Sequence, residues 1–154
     1  MATPTVGKKV PSFSAESIAG TVAAKDLAGS PYVLYFYPKD DTPGCTLEGQ
    51  DFRDRSRDFA KLGVKIFGVS RDTLASHEKF KQKYDLPFDL ISDPEERLCK
   101  QFDVIREKNM YGRKILGVER STFLVDSAGV LRNEWRKVKV KGHVDQVLEA
   151  AKAL

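Results

Sequence analysis

Residues 32–49 read YVLYFYPKDDTPGCTLEG, and the change of pattern inside this stretch decides the fold. Tyr32 to Tyr37 form an unbroken apolar run of strand length, rich in aromatic residues. Lys39 to Asp41 supply a polar exit, and Thr42 followed by Pro43 reads as a helix N-cap with proline in the first helical position. A buried strand therefore runs through a short turn straight into a helix. Cys45 falls at the third position of that helix, where a capping box carries a Glu or Gln that reaches back to the free amides. A sulfur placed there faces unpaired N–H donors and the positive end of the helix dipole, which favours the thiolate.

The same alternation continues outward. The first helix is predicted over residues 43–62 and closed by Gly63, with a strand over 64–70 and a second helix from about residue 73 to 84. Strand, helix, strand, helix is the signature of a parallel sheet with helices packed on it. A short strand over 88–91 follows, then a helix opened by Ser92-Asp93-Pro94 that runs through Phe102, a polar stretch with Asn109 to Arg113, and a strand over 121–125. The turn at 126–129 leads into a hairpin strand over 130–140. The last helix, about 144–153, presents Val144, Val147, Leu148 and Ala151 at helical spacing, as core contacts do. Upstream, VPSFSAESIAGTVAAKDLAGS breaks into short apolar stretches between glycines and predicts a small β-hairpin. This order predicts an α/β, thioredoxin-like fold: a central mixed β-sheet flanked by helices, with an N-terminal β-hairpin extension, in a single domain over residues 1–154. The CxxC of a thioredoxin-type reductase is missing, because Cys45 is followed by Thr46, Leu47 and Glu48.

Composition narrows the function classes. With 154 residues, 41% hydrophobic and 31% charged, the chain can bury one substantial core and shows no proline- or serine-rich divider. No apolar run approaches the roughly 18 residues of a membrane span, and MATPTVGKKVPSF lacks the apolar centre of a secretory signal, so a cytoplasmic protein with reduced cysteines is expected, without a membrane partner. A net charge of +4 and the basic segment LRNEWRKVKVKGH raise a binding module of another class, one that grips nucleic acid through this strand. Arg136, Val138 and Val140 alternate with Lys137, Lys139 and Lys141, however, and one wet strand face accounts for that pattern without a specific nucleic-acid partner. Such a binder would show salt-sensitive binding and indifference to Cys45→Ser.

Pro38, Thr42 and Cys45 spell PxxxTxxC within YPKDDTPGCT, and Arg120 stands in ERSTFLVD. Together with VGKKVPSF, FRDRSRDFAKLGVKIFGVSRD, the LISDPEE turn and NMYGRKILGVERSTFLVDSAG, these strings closely resemble the peroxiredoxins of the bacterioferritin comigratory protein, or peroxiredoxin Q, type. The resemblance covers nearly the whole chain. It implies a thiol-dependent peroxidase for hydrogen peroxide and organic hydroperoxides, with Cys45 as the attacking thiolate, Thr42 and Arg120 activating the peroxide, and Pro38 shielding the site. It implies no metal, haem or flavin, and a monomer, with the loops flanking Cys45 as the surface a dimer would use.

Elementary chemistry asks for the same helpers. A thiol of pKa ~8.5 is roughly 3% ionised at pH 7, and lowering its pKa to about 6 raises the thiolate roughly 30-fold. Nucleophilicity falls with basicity, and a Brønsted slope of about 0.4 to 0.5 returns most of that gain. Fast reduction therefore needs donors that orient the O–O bond and stabilise charge on the leaving oxygen. Thr42 offers a hydroxyl, Gly44 and Cys45 offer backbone N–H groups, and Arg120 offers a charged fork. Glu48, one turn after Cys45, is a like charge that opposes the thiolate unless Arg120 or Thr42 engages it.

The chain departs from its relatives in resolving thiols. Gln50 stands where many carry a second cysteine, and Lys81 where another subset does. Cys99, in PEERLCKQF, is the one remaining thiol; its neighbours Leu98 and Phe102 suggest packing, and the alternative is an atypical two-cysteine cycle in which it resolves Cys45. Without a resolving thiol the sulfenic acid needs an external partner such as thioredoxin, glutaredoxin or glutathione. A cysteine hydrolase would need a histidine base, whereas His77 and His143 read as surface or capping residues, and the spacing of two cysteines and two histidines suits no zinc site.

Overall fold

The computed structural model describes residues 3–154. Among the described residues nine strands follow in order: β1 (Ser14–Ser17), β2 (Gly20–Ala23), β3 (Tyr32–Phe36), β4 (Lys65–Ser70), β5 (Asp89–Ser92), β6 (Ile105–Met110), β7 (Arg113–Val118), β8 (Ser121–Val125) and β9 (Leu131–Trp135). The helices are α1 (Pro43–Asp54), α2 (Ser56–Lys61), α3 (Leu74–Lys83), α4 (Arg97–Gln101) and α5 (His143–Lys152), with a 3₁₀ turn over Ala24–Leu27. Seven strands form one mixed sheet in the order β2-β1-β5-β4-β3-β8-β9. β3, β4 and β5 are parallel, while β8 and β9 on one side and β1 and β2 on the other run antiparallel. The expected N-terminal hairpin is β1–β2, and it extends the sheet through β5.

β3 lies mid-sheet with every residue buried, as a strand covered on both faces requires. Its period of two divides the core. Val33, Tyr35 and the following Tyr37 join Cys45, Phe52, Phe59 and Phe80 on the face that carries α1, α2, α3 and α5. Tyr32, Leu34 and Phe36 join Leu98, Cys99, Phe102 and Phe123 on the other. The two cysteines thus sit on opposite faces of the sheet.

Four local expectations need correction. The first long helix breaks at Arg55, whose φ of −104° and ψ of 4° leave the helical region; α2 then ends in a Schellman turn, with Gly63 at φ 72° and Val64 N–H reaching the Phe59 carbonyl. The helix placed after Ser92 starts only at Arg97, because Glu96 is left-handed at φ 62° and the Asp93 carboxylate caps the amides of Leu98 and Cys99 instead. The polar stretch around Asn109 is a separate hairpin, β6–β7, turned by Tyr111 and Gly112, both at positive φ. The basic strand stops at Trp135. Beyond it Lys137 turns left-handed, and Arg136 donates to the carbonyls of Phe102 and Asp103 while its guanidinium lies over Phe123, which takes this residue out of any basic face.

Candidate active site

The site begins where β3 ends. Tyr37 is still held to the sheet by its N–H on the Val69 carbonyl; residues 38–42 then cross from the strand to α1 with Asp41 left-handed at φ 57°. Thr42 occupies the N-cap in extended conformation (φ −98°, ψ 155°), and Pro43 opens the helix. Its hydroxyl does not bond to the helix amides as a plain cap would; it donates to the Lys39 carbonyl at 2.9 Å, which leaves its lone pairs free. Thr46 N–H bonds the Thr42 carbonyl at 2.8 Å. Among the described residues no protein acceptor takes the amides of Gly44 and Cys45.

Cys45 is 1% exposed. Arg120 reaches it from the short link between β7 and β8, a link anchored by Glu119 N–H on the Val104 carbonyl and by Val138 N–H on the Arg120 carbonyl. One prong of the guanidinium, Nη2, donates to Cys45 Sγ at 3.3 Å; the other, Nη1, donates to Glu48 Oε1 at 2.6 Å. The fork therefore spans one turn of α1, from position 45 to position 48. Gly44 makes room for it, since a Cβ there would lie 3.0 Å from Nη2. Pro38 is half-buried at the start of the loop.

Charge here is finely divided. Glu48 is completely buried, and burial outweighs the attraction of Arg120, so that its carboxyl is pushed up to about 7. Burial would lower Arg120, but the charges of Glu48 and Cys45 reverse this and hold it above its ordinary value. Among the described residues the second oxygen of Glu48 finds no partner, nor does the hydroxyl of Tyr35. Lys108 of the β6–β7 hairpin is a further cation: its ammonium donates to the Val118 carbonyl at 2.7 Å, and burial first, then Arg120 and Arg71, push it down. His143 Nε2 lies 2.7 Å from Thr122 Oγ1, with the Trp135 ring edge-on to its imidazole; burial and then Arg120 push it down to about 4.

Cys99 is excluded from this constellation by the sheet. It is fully buried, and burial foremost, with the Asp93 carboxylate behind it, pushes its thiol well up. His77, read from sequence as a surface residue, is fully buried beside Asp40. Its ligand atom and those of Asp40 and Asp72 lie within 4.8 Å of one another, and all three residues are engaged in hydrogen bonds of the protein. The signal for His77 was its spacing: with Phe80 and Tyr84 it forms the inward stripe of α3.

Residues 6–134 match the AhpC/TSA family. The chain is 57% identical over 126 residues to Peroxiredoxin Bcp of Xanthomonas campestris pv. campestris, spanning 82% of this chain and 79% of that protein. It is 49% identical over 148 residues to Peroxiredoxin Bcp of Bacillus subtilis, spanning 96% and 94%. Among solved structures, a peroxiredoxin Q of Xanthomonas campestris superposes with a TM-score of 0.87 at 51% identity, covering 92% of this chain and 90% of that one. A PrxQ mutant of Xylella fastidiosa gives a TM-score of 0.92 at 37% identity, covering 99% and 98%. A family match over most of its length, close relatives of one name and a shared thioredoxin-like sheet place this chain in the AhpC/TSA family, as a thiol-dependent peroxidase of the Bcp or Q type of peroxiredoxin.

Proposed function

We propose that Cys45 is the peroxide-reducing thiol, that Arg120, Thr42 and the amides of Gly44 and Cys45 hold the peroxide, and that an external thiol closes the cycle. The observation that carries this reading is the Arg120 fork, which touches both Cys45 Sγ and Glu48. The thiolate attacks one peroxide oxygen in line with the O–O bond; the S–O bond forms, the O–O bond breaks, and the departing oxygen leaves as water or an alcohol after taking up a proton. Arg120 and the free amides stand where negative charge develops on the two oxygens, and such donors act most strongly in a dry site. Thr42 can accept a hydrogen bond from the peroxide O–H, and Pro38 presents no N–H and limits water. The bacterioferritin comigratory protein of Xanthomonas campestris, a solved relative, has alkyl peroxide reduction activity, which favours organic hydroperoxides alongside hydrogen peroxide here.

Two cysteine-to-serine mutants of the Xanthomonas enzyme lie 36 positions apart. Thirty-six positions after Cys45 stands Lys81, so a thiol of that spacing is absent from this chain. Cys99, behind the sheet and held protonated, is a poor second choice. The sulfenic acid therefore meets thioredoxin, glutaredoxin or glutathione: one thiol displaces water to give a mixed disulfide, and a second thiol releases Cys45. The proposal is of a monomer acting as one unit over residues 1–154 in the cytoplasm; among the described residues no helix is long and apolar enough to cross a membrane.

Peroxide consumption by wild type, Cys45→Ser and Cys99→Ser, each with a panel of thiol reductants and followed by intact-mass measurement, tests this. Cys45→Ser should be inactive and Cys99→Ser should turn over as wild type does. A wild-type disulfide between Cys45 and Cys99, together with a Cys99→Ser enzyme that stops after one oxidation, would overturn the external-thiol cycle.

A further inference from the structure

Of residues 38–42, which link β3 to α1 and include Pro38 and Thr42, only Asp40 is buried. Its carboxylate is the centre of a polar knot with α3 and the sheet. Tyr37 Oη donates to Oδ1 at 2.6 Å, Ser76 Oγ donates to Oδ2 at 2.8 Å, and His77 Nδ1 stands 2.8 Å from the same Oδ2. The Asp40 N–H donates to Asp72 Oδ2 at 2.9 Å, an oxygen that also takes the Ser70 hydroxyl. On the far side of the imidazole, Nε2 faces the Ile91 carbonyl at 2.9 Å. A carbonyl only accepts, so Nε2 is the donor on that side, and the contact of Nδ1 with Asp40 Oδ2 is the second hydrogen bond of the ring. His77 is thereby fixed at both ends, to the sheet by one nitrogen and to the loop by the other.

The rest of the loop has little else to locate it. The Thr42 side chain bonds only to Lys39 within the loop itself, its carbonyl takes the Thr46 N–H of α1, and Asp41, in the left-handed region, is tied by its exposed carboxylate to Lys83 and Tyr84 at 2.8 and 2.6 Å, at the far end of α3. An exposed pair of that kind holds weakly. A buried carboxylate whose partner is removed is left uncompensated, so the inner link is the stiff one.

We propose that Asp40 and His77 are a positioning pair, which locks the Pro38–Thr42 loop onto α3 and so fixes Thr42 and Pro38 at the entrance of the helix that carries Cys45. The proposal rests on the peroxidase reading of Cys45 and extends it to residues that touch neither sulfur nor peroxide. It also gives a use to an intact α3: a chain with Lys81 in that helix has no thiol there to release, and the lock keeps the helix seated.

The test compares wild type with Asp40→Ala, His77→Leu, the double variant, Asp40→Asn, Tyr37→Phe and Lys83→Ala, all below their unfolding transitions. Three quantities are read: the single-turnover rate of Cys45 oxidation by hydrogen peroxide, the rate of Cys45 alkylation by iodoacetamide, and backbone hydrogen exchange over residues 38–42 and α3. Asp40→Ala and His77→Leu should slow oxidation about 10- to 100-fold through misplacement of the loop, with faster exchange in the loop. Alkylation, which needs the thiolate but not the loop's donors, should stay within about three-fold. The double variant should be no slower than the slower single one, since the two residues act as a unit. Asp40→Asn, whose amide can still bond Nδ1, should recover much of the rate, and Lys83→Ala should stay within about two-fold of wild type. Wild-type oxidation rates in a folded Asp40→Ala or His77→Leu protein would overturn the proposal, and so would equal losses of oxidation and alkylation. Should both variants fail to fold, Tyr37→Phe decides: slower oxidation with faster loop exchange supports the lock, and wild-type values for both overturn it. A wild type that oxidises no Cys45 sinks the peroxidase reading instead, while exchange still reports whether His77 holds the loop.

Discussion

Cys45 and Cys99 are each the third residue of a helix, in Pro43-Gly44-Cys45 and Arg97-Leu98-Cys99, and both are buried. Their surroundings have opposite sign. At α4 the Asp93 carboxylate takes the amides of Leu98 and Cys99 at 3.1 and 2.8 Å, so the positive helix end is already neutralised beside the sulfur. At α1 the Thr42 hydroxyl turns away to Lys39, the first amides are left open, and a guanidinium arrives at 3.3 Å from the sulfur. Position at a helix start therefore does not by itself make a thiol reactive. What fills the two helix ends differs: in this chain one holds an anion and the other faces a cation.

Removing that cation should have the largest effect on the contrast. Arg120→Ala should lower the rate of Cys45 oxidation by about 100- to 1,000-fold, as loss of an oxyanion donor does, and Arg120→Lys should recover little because one ammonium cannot span Sγ and Glu48. Stopped-flow oxidation of the purified variants measures both.

Glu48→Gln comes next, and its effect is on stability. The folded carboxyl sits at about 7 against an ordinary 4.5, so between those values the native state keeps a proton that the unfolded chain has lost. The stabilisation this gives is complete below about pH 4.5 and disappears as pH rises through about 7. A glutamine does not titrate. Between pH 4.5 and about 8 the variant should therefore gain roughly 3 kcal/mol on wild type, read from urea unfolding at the two pH values.

Gly44→Ala sharpens the comparison sterically: with a Cβ 3.0 Å from Nη2, the fork must shift, and oxidation should slow about 10-fold with the fold intact. The smallest change is expected on the other side of the sheet. Asp93→Asn weakens the anionic cap of α4 and should cost about 1 kcal/mol in denaturant unfolding without altering peroxide consumption.

Where a single period dominated, the architecture could be read from the residues. Tyr32 to Tyr37 alternate between two faces of a buried strand, and Thr42-Pro43 marks the start of α1 within a residue. The β6–β7 hairpin was hidden because its turn uses Tyr111 at φ 52°, a bulky residue in a conformation normally signalled by Asn or Gly, and because charges interrupt its alternation. The segment after Trp135 has the alternation of a strand, yet Arg136 finds carbonyls and an aromatic face across the fold, and Lys137 turns the chain away. The convergence of Cys45, Arg120 and Glu48 is a tertiary fact across more than 70 positions, suggested by motif register rather than by spacing. Asp40 stood in YPKDDTPGCT as a position without an assigned role, His77 stood in no motif, and only the inward stripe of α3 pointed to His77.

The indole of Trp135, the chain's only tryptophan, leans edge-on against His143, with ring centroids 5.7 Å apart. Because that imidazole stays neutral until strongly acidic pH, it will not quench the indole through the neutral range. Arg120 is the charge whose influence reaches it. Emission from this indole should therefore stay level across the neutral range, so that any change on adding peroxide reports movement around β9 and the start of α5 rather than a titrating neighbour.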